Sequence, residues 1–369
     1  MSAPAHTIDE ITPPPSMADD YDGEFAGLVA VRDEVETATM GTDALTMSAA
    51  ELLPIYSDQQ YSPRRLVVVR VDGRIVGRGF FGWAPEAGAK SARVYGEILP
   101  AFRNHGLGTA LVDHLERMAI DAGYGILQTY VTHMTATIGE RVPSPTGFGS
   151  LPAADPGVRF LLRRGYRLEQ VSRISAVDLP VDPGTLAALR QAAEDAAGPD
   201  YRIVTWLGRT PEEWIDDVAT LRNRMSVDMP QGALDVTEEI WDAARVRSSD
   251  VREEASGRQV LTVAAEHIPT GRLAGFSVLS LPADASRAVA QGDTLVLSEH
   301  RGHRLGMLMK IANLQELARV SPDSSMVFTG NAEENRHMLN VNEAVGFRAI
   351  GYEGGWKKVV SPATPPGAG

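Results

Sequence analysis

Two arginine-led, glycine-bearing turns have the residue types and spacing to hold a phosphate. The first reads Arg103-Asn104-His105-Gly106-Leu107-Gly108-Thr109 and the second Arg301-Gly302-His303-Arg304-Leu305-Gly306, and each runs into a helical pattern. A strand that feeds a turn and a helix N-terminus leaves unpaired backbone N–H groups at one point. The helix dipole adds positive potential there, which suits a pyrophosphate. Gly106 and Gly108 let the first turn approach a bulky anion with no Cβ in the way. A plain strand–turn–helix connection asks for the same small residues, so the turn alone leaves both uses open. Other phosphate loops fit worse. A Walker loop needs a lysine after its last glycine, and neither turn has one. A dinucleotide fold needs a third glycine and an acid about 20 residues on, whereas Thr109-Ala110-Leu111 follows Gly108 and Leu127-Gln128-Thr129-Tyr130 lies downstream. Hydride transfer is therefore disfavoured.

The turns lie about 200 residues apart, close to one domain length, and the elements around them repeat in order. A helical region from Glu24 to about Ser57 precedes the strands RRLVVVRVDG and RIVGRGFFGW, with Asp72-Gly73 between them as a hairpin signal. The strand ARVYGEILP leads into the first turn. After it come a helix to about Asp121, the strand ILQTYVT, a Pro/Gly-rich stretch, the short helix VRFLLRRG and the strand YRLEQVSRISAV. The second copy runs YRIVTWLG, a helix PEEWIDDVATLRNRMSV, the strand pair QVLTVAAEH and LAGFSVLSL, then DTLVL into the second turn and helix. SMVFTG, the helix EENRHMLNVNEAVG and FRAIGYEGGWKKVV end it. The composition suggests disorder over residues 1–18 and 361–369. The expected domains are 19–180 and 199–360, with 181–198 a proline-punctuated linker helix.

At 369 residues the chain exceeds one compact core, and its 43% hydrophobic and 22% charged residues are ordinary for a globular protein. A net charge of −13 argues against nucleic acid or an anionic membrane as partner and favours a cationic one. The absence of cysteine excludes disulfides, thiolate metal sites and a cysteine nucleophile. No stretch is apolar enough to span a membrane and no signal peptide opens the chain, so the expected location is the cytoplasm. The histidines show no metal-ligand spacing, and no metal is expected. Asp19 to Glu24 lacks the terminal glutamate of a calcium loop and reads as a solvated helix start.

The first turn, Arg103 to Gly108 between Ile98-Leu99-Pro100 and Thr109-Ala110-Leu111, resembles the Q/R-x-x-G-x-G/A signature of the GNAT superfamily of acyl-CoA-dependent N-acyltransferases. The second turn is similar, with Arg304 where the signature's first glycine belongs. Arg304 either crowds the pyrophosphate or pairs with it through its guanidinium. A second family element, N-x-x-A-x-x-x-Y-x-x-x-G-F, is matched in register by Asn335, Met338, Asn342, Gly346 and Phe347. The first copy keeps only Gly165-Tyr166. The resemblance implies two GNAT-like domains in tandem, an α/β fold in which each domain is a mostly antiparallel twisted sheet flanked by helices.

It further implies acetyl transfer from acetyl-CoA directly to a primary amine of a small molecule, with no metal. Protein amines as acceptors, or an inactive acyl-CoA-binding scaffold or sensor, are the alternatives. The amine must lose a proton, the leaving thiolate must gain one, and the thioester oxygen needs a donor. Glu97, in the strand before the first turn on the face of Tyr95 and Leu99, is the base candidate; an edge glutamate is the plainer reading. The second copy has Leu295 in that slot, with Asp293 two residues earlier as a weak substitute. The family's acid tyrosine is missing, Leu161 and Asn342 standing in its register, and Tyr130 is a weak replacement. Backbone N–H near Leu99 and Leu297 is expected to polarise the carbonyl. The donor's contacts are expected at Ile98, Leu99 and 103–109 in the first copy. In the second they are Val296, Leu297 and 301–306, with Asn331 and Asn335 either bonding the pantetheine arm or capping a helix. The first copy, with intact loop and acidic slot, is expected to be catalytic; oligomeric state stays open.

Overall fold

The computed structural model describes residues 4–134 and 139–360. In chain order the elements are β1 (Thr7–Ile11), α1 (Glu24–Met40), α2 (Ala49–Ser57), β2 (Arg64–Val71), β3 (Arg74–Trp83), β4 (Ser91–Ile98), α3 (Leu107–Asp121) and β5 (Ile126–Met134). A small hairpin β6 (Arg141–Pro143) and β7 (Ser150–Pro152), then α4 (Pro156–Arg163) and β8 (Arg167–Asp178), follow. The second half contains α5 (Pro183–Ala197), β9 (Tyr201–Leu207), α6 (Ile215–Asp228), α7 (Ala243–Ala255), β10 (Gln259–His267), β11 (Arg272–Leu281) and β12 (Val289–Val296). It ends with α8 (Leu305–Val320), β13 (Met326–Ala332), α9 (Arg336–Ala344) and β14 (Arg348–Val359).

The chain forms two compact units. The first comprises Met1–Ser172, Gln231–Thr237 and Gly351–Gly369; the second comprises Arg173–Pro230 and Glu238–Ile350. Their limits thus fall inside β8 and β14. In the first unit the strand order is β1-β2-β3-β4-β5 followed by residues 351–359 of β14, antiparallel except for β4 and β5. In the second, β9-β10-β11-β12-β13 repeats the pattern, with β12 and β13 the parallel pair. The mixed α/β architecture with mostly antiparallel sheets is the one expected.

Local chemistry explains the elements. Asp72 and Gly73 both take positive φ, 50° and 79°, the two-residue turn that matches the twist of a hairpin. Ser48 and Glu51 form a capping box at the start of α2. The apolar stripe Leu111, Leu115 and Met118 buries α3 against the sheet. It sits unusually close, because a Cβ at Gly79 or Gly96 would come within 2.8 and 2.9 Å of leucine methyls.

Three expectations need revision. Residues 7–11, within the stretch expected to be disordered, form β1 on the sheet edge, tied to β2 by ion pairs Arg65–Glu10 and Arg70–Asp9. The helix at 183–197, expected as a linker, packs on α8 through Ala193 and Ala197 within the second unit. Residues 231–237, from the middle of the second half, complete the first unit. Gln128 Nε2 donates to the Asp235 carbonyl at 2.8 Å, and the Asp235 amide donates to Gln128 Oε1 at 2.8 Å. The expected tail 361–369 lies outside the described residues. Among the described residues no helix is long and apolar enough to cross a membrane.

Candidate active site

The first unit holds a wedge at the centre of its sheet. β4 and β5 pair only at Ser91–Ile126, Ala92–Leu127 and Arg93–Gln128, after which β5 runs on beside residues 351–359. The end of β4, from Val94 to Ile98, therefore parts from β5 just before the Arg103 turn. The Leu99 amide is not available in this wedge, because it donates to the Val76 carbonyl at 2.9 Å. Strand alternation then turns the Ile98 amide towards the wedge instead. The second unit repeats this: β12 and β13 pair at two positions only, and the Leu297 amide donates to the Ala274 carbonyl at 2.9 Å. By strand alternation the amides that face each parting are those of Ile98 and Val296, beside the expected Leu99 and Leu297.

The turns share a backbone trace. Arg103 Nε donates to the Ile98 carbonyl at 3.0 Å, and Arg301 Nε to the Val296 carbonyl at 3.1 Å, so each leading arginine ties its turn back to the strand. Asn104 and Gly302 take the first left-handed position, with φ 65° and 91°. Gly106 and Arg304 take the second, with φ 84° and 53°, immediately before Leu107 and Leu305 open their helices. Arg304 thus occupies, in place of a glycine, a conformation that costs an L-residue roughly 1–2 kcal/mol. Its side chain is exposed, as are those of His105 and Thr109. His303 packs on the Tyr201 ring with centroids 5.1 Å apart. A Cβ on Gly108 would meet only Ile98 Cγ1, at 3.8 Å, and one on Gly306 nothing within 4 Å, so both turns have room beside the first helical turn.

Glu97 sits in a network that its sequence position did not reveal. Its Oε2 accepts from Arg78 Nε at 2.6 Å and its Oε1 from the Tyr95 hydroxyl at 2.6 Å; Arg78 Nη1 donates to Tyr56 Oη at 2.9 Å. Arg78 is 4% exposed, and the Glu97 charge holds its proton more tightly against the cost of burial. Burial, with the adjacent Glu97 charge, keeps the Tyr95 phenol protonated well above its usual range. Glu36, on α1, couples electrostatically to this network and was not singled out from the sequence. Burial raises its pKa, Arg32 at 2.7 Å opposes this, and the Glu97 charge raises it further. Nothing marks Glu36 in sequence beyond its place on an amphipathic helix. Tyr130, on β5, lies beneath Arg93 at 5.0 Å, and burial raises its pKa.

In the second unit Asp293 pairs with Arg222, which also stacks over Trp241 and Phe276. Asp293 and Arg222 line a cavity of about 230 Å³, while Leu295 is buried. Asn335 caps α9 by accepting from the Met338 amide at 3.3 Å. Asn331 accepts from Asn342 Nδ2 at 2.7 Å, leaving Asn342 Oδ1 buried without a partner. Among the described residues no cluster of three potential ligands could hold a metal ion.

Residues 43–137, which span this wedge and turn, match the model of the Acetyltransferase (GNAT) family. No curated protein matches the chain. Among solved structures, a tandem GNAT protein from the clavulanic acid biosynthesis pathway superposes with a TM-score of 0.73 at 23% identity, covering 98% of this chain and 100% of its own. A GCN5-related N-acetyltransferase from Sphaerobacter thermophilus gives 0.60 at 16% identity, with 98% of both chains covered. A GCN5-related glucosamine N-acetyltransferase region of a fungal multi-domain β-N-acetylglucosaminidase gives 0.60 at 15%, covering 96% of this chain and 38% of that one. At these identities the likeness is one of fold, whereas the family match reaches the residues of the site. Residues 43–137 thus match the GNAT family model, and the chain has the fold of the tandem GNAT protein it superposes on.

Proposed function

We propose that the first unit transfers an acetyl group from acetyl-CoA directly to the primary amine of a small molecule. The observation that carries this reading is the wedge between β4 and β5, opening beside an unobstructed turn at the N-terminus of α3. The turn amides and the α3 dipole hold the pyrophosphate, and the thioester oxygen takes a hydrogen bond from the Ile98 amide. The incoming ammonium is met by Glu97, and Glu36, whose burial raises its proton affinity, takes the proton. The amine nitrogen then attacks the carbonyl carbon and the C–S bond breaks. Tyr130, which burial keeps protonated, stands as donor to the departing thiolate. Asn331, Asn335 and Asp293 have structural roles in this reading.

Titration of acetyl-CoA into the wild type and Gly108→Arg by calorimetry tests it. Loss of the first turn's share of the binding heat in the variant is the expected result, because a Cβ at Gly108 meets only Ile98 Cγ1 at 3.8 Å and the added bulk goes into the turn rather than into packed core. Unchanged stoichiometry would place the working donor site elsewhere. A binding-only reading has one supporting observation: both Glu97 oxygens are already engaged. Release of free CoA stimulated by amines separates turnover from binding.

A further inference from the structure

The cavity of about 230 Å³ in the second unit has no part in the proposed acetyl transfer. It lies between α6, α7 and the face of the sheet that carries Val260, Thr262, Phe276 and Val278. Leu261, Val263 and Leu279 alternate with these and pack on α8 from the other face. The helix that the 301–306 turn opens is therefore on the far side of the sheet, and the cavity is no part of that turn.

The two units compared side by side show why this space is open. Phe276 pairs with Leu295 as Arg78 pairs with Glu97, so the two strand pairs share one register. Val278 then stands where the first unit has Phe80, and Asp293 where it has Tyr95. In the first unit those two rings stack, with centroids 5.5 Å apart. An isopropyl and a carboxymethyl group in their place leave volume unfilled. Gly292, exposed at the rim, adds to it: a Cβ there would come no nearer than 3.7 Å, to the Val278 carbonyl. The space is thus a feature of the second unit rather than of the repeated plan.

Its walls favour one kind of ligand. Trp206, Phe276, Val260 and Val278 give an apolar floor, and Arg222, 5.2 Å over the Phe276 ring, is neutralised by Asp293. Asp250, on α7, accepts from the Thr210 amide at 3.1 Å and from Arg247 at 3.0 Å. Glu253, about one turn further along α7, also lines the cavity. Among the described residues no hydrogen bond or ion pair engages its carboxylate. In the sheet wall the Trp206 Nε1 is buried and has no acceptor. Three carboxylates against one guanidinium, beside two aromatic rings, disfavour an anion and suit a cation with an apolar body. At 230 Å³, below the roughly 300–1,000 Å³ of drug-sized sites, the space takes a compact molecule.

We infer that the second unit binds a compact organic ammonium ion in this cavity, its nitrogen at Glu253 and its apolar body against Trp206 and Phe276. The site is one of binding alone, and it does not rest on acetyl transfer by the first unit. Calorimetric titration of 2-phenylethylamine into the full chain tests it, with 3-phenylpropionate as an anion of similar size and no acyl-CoA present. A one-to-one event with the amine and none with the carboxylate is the expected result. Glu253→Gln should weaken it about tenfold or more, because a charge-assisted contact becomes a neutral one. Gly292→Leu, which fills the rim where there is room, should abolish it with the thermal transition retained. Val278→Phe, which restores a ring that the first unit has, should abolish it as well. Amine binding undiminished in Glu253→Gln and Gly292→Leu would place the ligand elsewhere and overturn the inference. Equal binding of the carboxylate, or no binding of the amine, would overturn it too. Failure of acetyl transfer in the first unit would leave this titration unchanged, so the two readings fall separately.

Discussion

Glu97 shows how a single residue changes meaning between sequence and structure. In an apolar strand it reads as a base, and the tertiary structure adds Arg78 and Tyr95 to its two oxygens and Glu36 nearby. If Glu36 takes the amine's proton, activity must rise as pH rises through its elevated pKa, because the base works only when ionised. Glu97→Gln removes a negative charge that elevates it, so the acidic limb of kcat/KM should move to lower pH. Glu36→Gln should abolish that limb and lower kcat/KM by about 10² or more. An unchanged limb in both variants would remove Glu36 from the mechanism. Arg304 is a second case. Its left-handed backbone, φ 53°, predicts that Arg304→Gly stabilises the second unit by up to about 1 kcal/mol in chemical denaturation, since relief of strain exceeds the added freedom of the unfolded chain.

At the scale of elements, strong periodicity and turn chemistry were legible and weak amphipathicity was not. The stripe of α3 and the Asp72-Gly73 hairpin announce themselves. β1 does not, because TIDEI is polar and buries only Ile11, as suits a charged edge strand whose ion pairs form only once β2 lies beside it. α7 also escaped, although Asp242 caps it by accepting from the Arg245 amide at 2.8 Å. It is rich in charge, and only Arg245 and Val246 are buried. α8 carries a cost. Folding lowers the Lys310 pKa from 10.5 to about 7, so the unfolded chain binds the extra proton between those values. Stability of the second unit should therefore be greatest above pH 10.5 from this group and fall as pH drops towards 7. Lys310→Met should raise its stability at neutral pH and flatten that dependence in denaturant titrations. A Tm that falls would show instead that Lys310 is held by contacts worth more than its desolvation.

At the scale of the molecule, chain order and structural unit disagree. Residues 351–359 pair with β5, and Trp356, fully buried, belongs to the core that contains Leu111, Leu115 and Leu127. The first unit also needs Leu234 and Asp235 against Gln128. A fragment of residues 1–180, the domain suggested by sequence, should therefore lack a cooperative thermal transition by circular dichroism. Sharp unfolding of that fragment would show that residues 351–359 are dispensable.

The sequence by itself determined the repeated strand–turn–helix plan, the two glycine-bearing turns and the carboxylate in the strand before the first. These are local features, since turn conformation, helix starts and strand alternation depend on residues close in the chain. Only the tertiary structure decided that Leu99 N–H is spent on β3, that Glu97 is clamped by Arg78 and Tyr95, and that Lys310 loses its hydration. It also decided that the end of the chain completes the first unit. Each depends on contacts between residues far apart in sequence, where strand pairing and burial, rather than spacing, assign the partners.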